Sequence, residues 1–285
     1  MRRPCMNLFD KTVQTVLENN TQLTTLRPVV EKEILHHDIL WELNNAGLLK
    51  NLTFIGGTCL RDCYGSQRLS EDLDFSSSFD FNKEDLANFP SALKKNLLKK
   101  YGFEVAVSEP KQETGNTNTW KIKIVTRPEQ KHLPAQRINL DIVLLPSYQR
   151  HATMLKNYYG LESGTSGLIL QAESLVEILV DKLIAFANRP NRVKNRDLWD
   201  IFWLSRQNVV LDKDLLLKKL SDRKITFEDF ATKYANRLNE IQGGQEAFLS
   251  EMQRFLAPSA FDDIFTSPLW WEQLLNLLKS YTLIG

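Results

Sequence analysis

Apolar positions recur at helical spacing over residues 9–19 and 28–47, the second stretch opened by Pro28 in a first turn and closing near Gly47. A short apolar run, Asn51–Ile55, then reads as a strand, Thr58–Tyr64 as a short helix and Leu73–Ser77 as a second strand. Over Lys83–Tyr101 the residues Leu86, Phe89, Leu93, Leu97 and Leu98 line one side and lysines the other, with Pro90 marking a break or a second start. Three strands are expected next, Phe103–Ser108, Asn118–Thr126 and Arg137–Leu145, with 109–118 as a hairpin loop and Pro146 as the terminator. In Trp120-Lys-Ile-Lys-Ile-Val the apolar and basic residues alternate, so one face of that strand is buried and the other wet. From residue 174 the pattern turns helical: 174–188, 194–206, 212–221, 227–242, 245–256 and 268–281, punctuated by Gly243-Gly244 and Pro268. This predicts an α+β half with a mixed sheet over 1–165 and an all-helical half over 166–285, with no internal repeat.

Composition changes this picture little. At 285 residues with 42% hydrophobic and 25% charged residues, the chain is an ordinary globular protein with ample core-forming material. The formal net charge of +1 provides no global basic field, so any nucleic-acid surface must be local. Two basic clusters stand near the motifs: Lys94, Lys95, Lys99 and Lys100, then Arg189, Arg192, Lys194 and Arg196. Each reads as a solvated face or, for the second, as a phosphate-backbone contact. Met1–Asp10 has basic residues without an apolar stretch behind them, and Leu168–Ala187 is broken by Gln171, Glu173, Glu177, Asp181 and Lys182. Neither a signal peptide nor a membrane span is expected, and three cysteines fit a reducing cytoplasm. Cys59 and Cys63, four apart, read as small buried hydrophobes rather than metal ligands because no second Cys/His pair follows at zinc spacing.

The chemistry concentrates in Phe54-Ile-Gly-Gly-Thr-Cys-Leu-Arg61 and Ser70-Glu-Asp-Leu-Asp-Phe75. A strand runs into Gly56 and Gly57, which permit a tight turn and close approach of a ligand to the backbone, and Thr58 opens a helix whose N–H groups favour an anion. Asp72 and Asp74, at alternate positions, should share one face of the second strand. A third carboxylate, Asp141, interrupts the apolar strand Arg137–Leu145, where an ionised group needs a partner: a buried cation, or a metal shared with Asp72 and Asp74. Two like charges about 4 Å apart at an effective dielectric near 20 repel by roughly 4 kcal/mol, so three clustered carboxylates call for a divalent cation. Oxygen-only ligands suit Mg²⁺ or Mn²⁺.

Gly-Gly-Thr, then Asp-Leu-Asp, then Leu-Asp-Ile resembles the pattern of the DNA polymerase β-type nucleotidyltransferase superfamily. More narrowly, Gly56-Gly-Thr-x-Leu-Arg61 with Arg68-x-Ser-x-Asp-Leu-Asp-Phe75 resembles the AbiEii/AbiGii toxin family, which includes the MenT-type tRNA nucleotidyltransferase toxins. The later elements Glu177-x(4)-Lys182-x(2)-Ala185 and Arg196-Asp197-Leu-Trp-Asp200 match as well, so the resemblance runs from about 50 to 205. It implies a polymerase β-like core followed by a helical domain, and a toxin of a toxin–antitoxin or abortive-infection system with a cognate antitoxin as partner. By that resemblance Gly56, Gly57, Thr58 and Arg61 hold the NTP, and Asp72, Asp74 and Asp141 bind Mg²⁺ or Mn²⁺. Asp141 also acts as general base toward the acceptor hydroxyl. Lys182 neutralises the triphosphate or is simply a helix lysine reaching for solvent. Asp197 reaches the site, or Asp197 and Asp200 pair with Arg196 or Arg192. The implied reaction is transfer of a pyrimidine nucleoside monophosphate to the 3′ acceptor end of tRNA, blocking translation. The alternatives are nucleotidylation of a protein and a non-catalytic nucleotide- or antitoxin-binding module.

Overall fold

The computed structural model describes residues 7–77, 81–110, 115–130 and 132–284, with side chains described to 282. Met1–Met6, including Cys5, and part of the 109–118 loop lie outside the described residues. In chain order the elements are α1 (Leu8–Asn19), α2 (Arg27–Asn45), β1 (Thr53–Ile55), α3 (Gly56–Cys59), β2 (Leu73–Ser76), α4 (Phe89–Tyr101), β3 (Glu104–Ser108), β4 (Thr117–Val125), β5 (Gln136–Val143), β6 (Arg150–Met154) and β7 (Ile169–Glu173). The helices α5 (Leu175–Asn188), α6 (Asn195–Arg206), α7 (Lys213–Asp222), α8 (Phe227–Glu240), α9 (Gln245–Met252), α10 (Pro258–Phe265) and α11 (Trp270–Ser280) follow. The chain divides into two units: Met1–Gly65 with Leu69–Ala172, and Ser66–Arg68 with Glu173–Gly285. The sheet therefore reaches beyond residue 165 to include β7, and three residues from the first half belong to the second unit.

In the first unit a seven-stranded mixed sheet has the order β3-β4-β5-β2-β1-β7-β6. Alternation decides its two faces. Leu73, Phe75, Trp120, Ile122, Ile124, Ile138, Leu140 and Ile142 are all buried on one face, where α2 packs on β5 and α4, and α4 packs on β3. Pro90 lies in the first turn of α4, so it is a second start after a 3₁₀ turn at Lys83–Leu86. The opposite face carries Asp74, Asn139, Asp141, Lys121 and Lys123, and keeps its polar residues accessible. The strands β6 and β7 and the helix α10 had no counterpart in the sequence reading. The β6 segment Arg150–Met154 is polar and mostly exposed and shows no periodic apolar signal, whereas α10 is a short helix of only eight residues that buries none of them. The short helix expected at Thr58–Tyr64 begins earlier, at Gly56, and continues through a π-turn over Leu60–Tyr64. Among the described residues no helix is long and apolar enough to cross a membrane. Cys59 and Cys63 are buried and not joined in a disulfide, as their apolar context implies.

The helical second unit is organised around buried charge as well as apolar packing. Lys219, 2% exposed, donates to Glu173 at 3.1 Å, Glu177 at 2.6 Å and Asp181 at 2.7 Å. Arg223 adds a second cation on Asp181 at 2.9 Å. Burial alone would lower the lysine's pKa, but the three carboxylates outweigh it and hold the ammonium protonated. Around this, Phe186, Phe230 and Tyr234 make edge and tilted ring contacts, and Phe248, Phe265, Trp270 and Trp271 form a second aromatic cluster. Replacing Lys219 with Met leaves Glu173 and Glu177 buried without their cation. The expected loss is about 3–5 kcal/mol in urea unfolding of the second unit, the magnitude typical of breaking a buried pair from one side.

Candidate active site

The site is assembled by strand register in the first unit. Parallel pairing of β2 with β5 sets Asp74 beside Asp141, and antiparallel pairing with β1 sets Ile55 on the other side of Asp74. Adjacent strands lie about 4.8 Å apart, so two acidic side chains leave the same face of neighbouring strands within reach of one small cation. Ile55 is extended at φ −132°, and Gly56 turns the chain with φ +75° directly into α3. A Cβ on Gly56 would fall 2.7 Å from the Asp74 Oδ2 and 3.1 Å from its Cβ. Only a glycine lets the Asp74 carboxylate lie against this turn, and the left-handed φ favours glycine independently. The Gly-Gly turn and the first aspartate pair are thus one piece of geometry.

Asp72 is placed differently from the expectation. It precedes β2, and its Oδ1 accepts a hydrogen bond from the Asn139 N–H at 2.9 Å, extending the β2–β5 ladder by a side chain. Its backbone carbonyl accepts from the Thr58 hydroxyl, which also meets Ser70 Oγ at 2.7 Å. Thr58 is fully buried, so its hydroxyl ties α3 to the approach of β2, and whatever it offers a ligand comes from its backbone. Among the described residues no group of three or more His, Cys, Asp or Glu is placed to hold a metal ion. The donor set that fits a hard divalent cation is the Asp74–Asp141 pair, two carboxylates of the kind that bind Mg²⁺ together with substrate phosphates. Asp72, with one oxygen engaged by Asn139, supports β2 and lies on the same edge.

Arg61, expected at the nucleotide, is buried beneath the turn. Its guanidinium meets Glu33 at 3.2 Å, its Cζ stacks 3.7 Å from the Tyr158 ring centroid, and its carbonyl accepts from the Tyr158 hydroxyl. Burial would lower its pKa, but Glu33 raises it further, so the group is a fixed cation. Glu33, from α2, also accepts from the Ser70 N–H at 3.0 Å and the Tyr159 hydroxyl at 2.5 Å. Sequence reasoning passed over Glu33. The available signal was an acid at a core position of α2, in step with buried Val30, His36 and Leu40.

The second unit holds the other expected residues. Lys182 Nζ lies 2.9 Å from Asp197 and 2.7 Å from Asp200. Arg68 grips Asp200 through two hydrogen bonds of 3.0 and 3.1 Å, and Arg189 meets Asp197 at 2.8 Å. The partners of Asp197 and Asp200 are therefore Lys182, Arg68 and Arg189; Arg196 turns instead to Glu251 at 3.5 Å. Burial pushes the Asp197 carboxyl up, but Lys182 and Arg189 outweigh it and hold the group well below the usual carboxylate range. Burial likewise lowers Lys182, and Asp197 and Asp200 reverse the effect, keeping it protonated.

A Gly-Gly turn abutting a carboxylate, with a second carboxylate in register on a mixed sheet, is the arrangement of a nucleotidyltransferase core. The family described as nucleotidyl transferase AbiEii toxin, type IV toxin–antitoxin system, matches residues 38–267, and the chain belongs to it. No curated relative matches the chain in sequence. Among solved structures it is similar in fold to MenT4, a nucleotidyltransferase toxin from Mycobacterium tuberculosis H37Rv. That match has TM-score 0.62 and 14% identity, over 96% of this chain and 90% of the other. JHP933 from Helicobacter pylori also matches, with TM-score 0.43 and 17% identity over 90% of each chain. A further H. pylori structure matches with TM-score 0.44 and 16% identity, over 90% of this chain and 93% of that one.

Gly56→Ala tests the turn. A methyl group there displaces the Asp74 carboxylate, and a displacement near 1 Å can cost about 100-fold in rate. Nucleotidyl transfer should fall by at least that factor while far-UV circular dichroism stays that of the parent.

Proposed function

We propose that this chain transfers a nucleoside monophosphate from a pyrimidine NTP to the 3′ acceptor end of tRNA in the cytoplasm, blocking translation until a cognate antitoxin restrains it. The carrying observation is the register of Asp74 with Asp141 beside the Gly56 turn. Membership of the toxin family supports the antitoxin as partner, and the likeness in fold to a nucleotidyltransferase toxin agrees with the reaction class.

In this reading Asp74 and Asp141 hold Mg²⁺ or Mn²⁺, with Asp72 at their edge. When bound, the cation neutralises charge between the carboxylates and the triphosphate and stabilises the departing pyrophosphate. The backbone of Gly56, Gly57 and Thr58 lies against the phosphates, with no Cβ at Gly56 to keep them off. Asp141 accepts the proton of the acceptor 3′-hydroxyl as its oxygen attacks the α-phosphorus. The bond from the α-phosphorus to the bridging oxygen breaks, and pyrophosphate leaves with the electron pair. Lys182 remains protonated within the second unit, where Asp197 and Asp200 fix its position. Arg61 acts by holding the α3 segment on Glu33 rather than by touching the nucleotide.

Incubation with Mg²⁺, each labelled NTP in turn and total RNA tests this. The expected result is label in tRNA from CTP or UTP, reduced by two to three orders of magnitude in Asp74→Asn, in line with losing one group on which transition-state charge depends (about 10²–10³). Label in protein and not in RNA replaces the acceptor. Label in neither, with NTP still bound, makes the chain a binding module.

A further inference from the structure

The wet face of the sheet does not end at the carboxylates. Along β5, Arg137, Asn139 and Asp141 leave the same face, and the antiparallel register sets Lys123 opposite Arg137, Lys121 opposite Asn139 and Thr119 opposite Asp141. On the far side of β4, Lys121 faces Ser108 and Lys123 faces Ala106. Three cations therefore sit together on an exposed ribbon with no acidic residue directly across any of them. The nearest acids in register terms are both diagonal: Glu104 to Lys123, through Val125, and Asp141 to Lys121, through Thr119. Among the described residues none of the three cations is ion-paired. Like charges directly opposite on a sheet destabilise it, so the Lys123–Arg137 pair is a cost the fold carries without a structural return.

The ribbon also has a shape. Where β4 and β5 join, Lys123, Arg127 and Arg137 rim a recess of about 330 Å³ whose walls include Val125, Leu133 and Pro134. Arg127 is committed to Asp10 and Glu31, which leaves the charge of Lys123 and Arg137 for a ligand. A neighbouring cleft of about 770 Å³ offers no such surplus, because its Arg27 and Arg127 are neutralised by Asp10 and Glu31. A recess of this size with a cationic rim and apolar walls accommodates one nucleotide unit, phosphate outward and base inward. The four steps along β5 from Arg137 to Asp141 span about 13 Å, so a polyanion lying on the cations leads directly to the carboxylates.

We infer that Lys121, Lys123 and Arg137 form the track on which the phosphate backbone of the RNA acceptor lies, its 3′-hydroxyl directed along β5 toward Asp141. This rests on the proposed reading of an RNA acceptor and adds the surface that receives it. With a net charge of +1, the chain has no overall field to attract RNA, and the affinity resides in this local patch.

The test compares the parent with a Lys121→Gln/Lys123→Gln/Arg137→Gln variant in binding labelled bulk tRNA between 50 and 200 mM salt, with NTP binding and thermal melting measured alongside. Three lost phosphate contacts reduce the slope of log affinity against log salt by about 2 to 3. Over that salt range the parent should therefore lose about 30-fold more affinity than the variant. NTP binding stays unchanged, melting stays at or slightly above the parent's because the Lys123–Arg137 repulsion is relieved, and tRNA labelling by the variant falls through KM. A variant that binds tRNA with the parent's affinity and slope overturns the surface and leaves the acceptor reading standing. A parent that labels protein and binds no tRNA overturns the acceptor reading, and the track falls with it.

Discussion

Parallel pairing of β2 with β5 is the constraint on which the rest depends. It brings Asp74 beside Asp141 although the chain between them builds α4, β3 and β4 first. Two carboxylates on adjacent strands repel, and the fold supplies the opposing force from the other face. There Leu73, Phe75, Leu140 and Ile142 are wholly buried, and the hydrophobic term for each is about 1.5–3 kcal/mol. A one-residue slip of this register would turn those side chains to water and the aspartates into the core, so the packing that stabilises the sheet also specifies the site.

The same logic runs through the supporting shell. Glu33 gathers Arg61, Ser70 and Tyr159, fixing the helical segment after the Gly-Gly turn. Thr58 and the Asp72 side chain lock the entrance of β2 from both sides. In the second unit, buried charge is matched centre by centre: Lys219 with its carboxylates, and Lys182, Arg68 and Arg189 with Asp197 and Asp200. The exception is the β4–β5 ribbon, where cations face each other without relief. A position at which local electrostatics works against the fold is where function is expected to lie.

Much of this was legible in the order of residues. The apolar periodicities of α1 and α8 and the alternation of β4 show strongly, because each buries one face against a core. The glycines and aspartates were legible as chemistry because such residues have no packing reason to stand in an apolar strand. Long-range pairing was not legible. Nothing local says that Arg61 meets Glu33, that Asp72 completes a ladder, or that Asp197 turns to Lys182 and Arg189. Short polar edge elements such as β6 left no periodic trace. The basic ribbon was visible only as a wet face; that Arg137 stands opposite Lys123 is a property of register.

The central claim is that Asp74 and Asp141 work as a single unit, and a double-mutant cycle on labelled nucleotide transfer tests it most directly. If the two carboxylates share one site, Asp74→Asn with Asp141→Asn should be no slower than the worse single variant, because either loss disables the same unit. Losses that multiply in the double variant would show two independent contributions and would contradict the account.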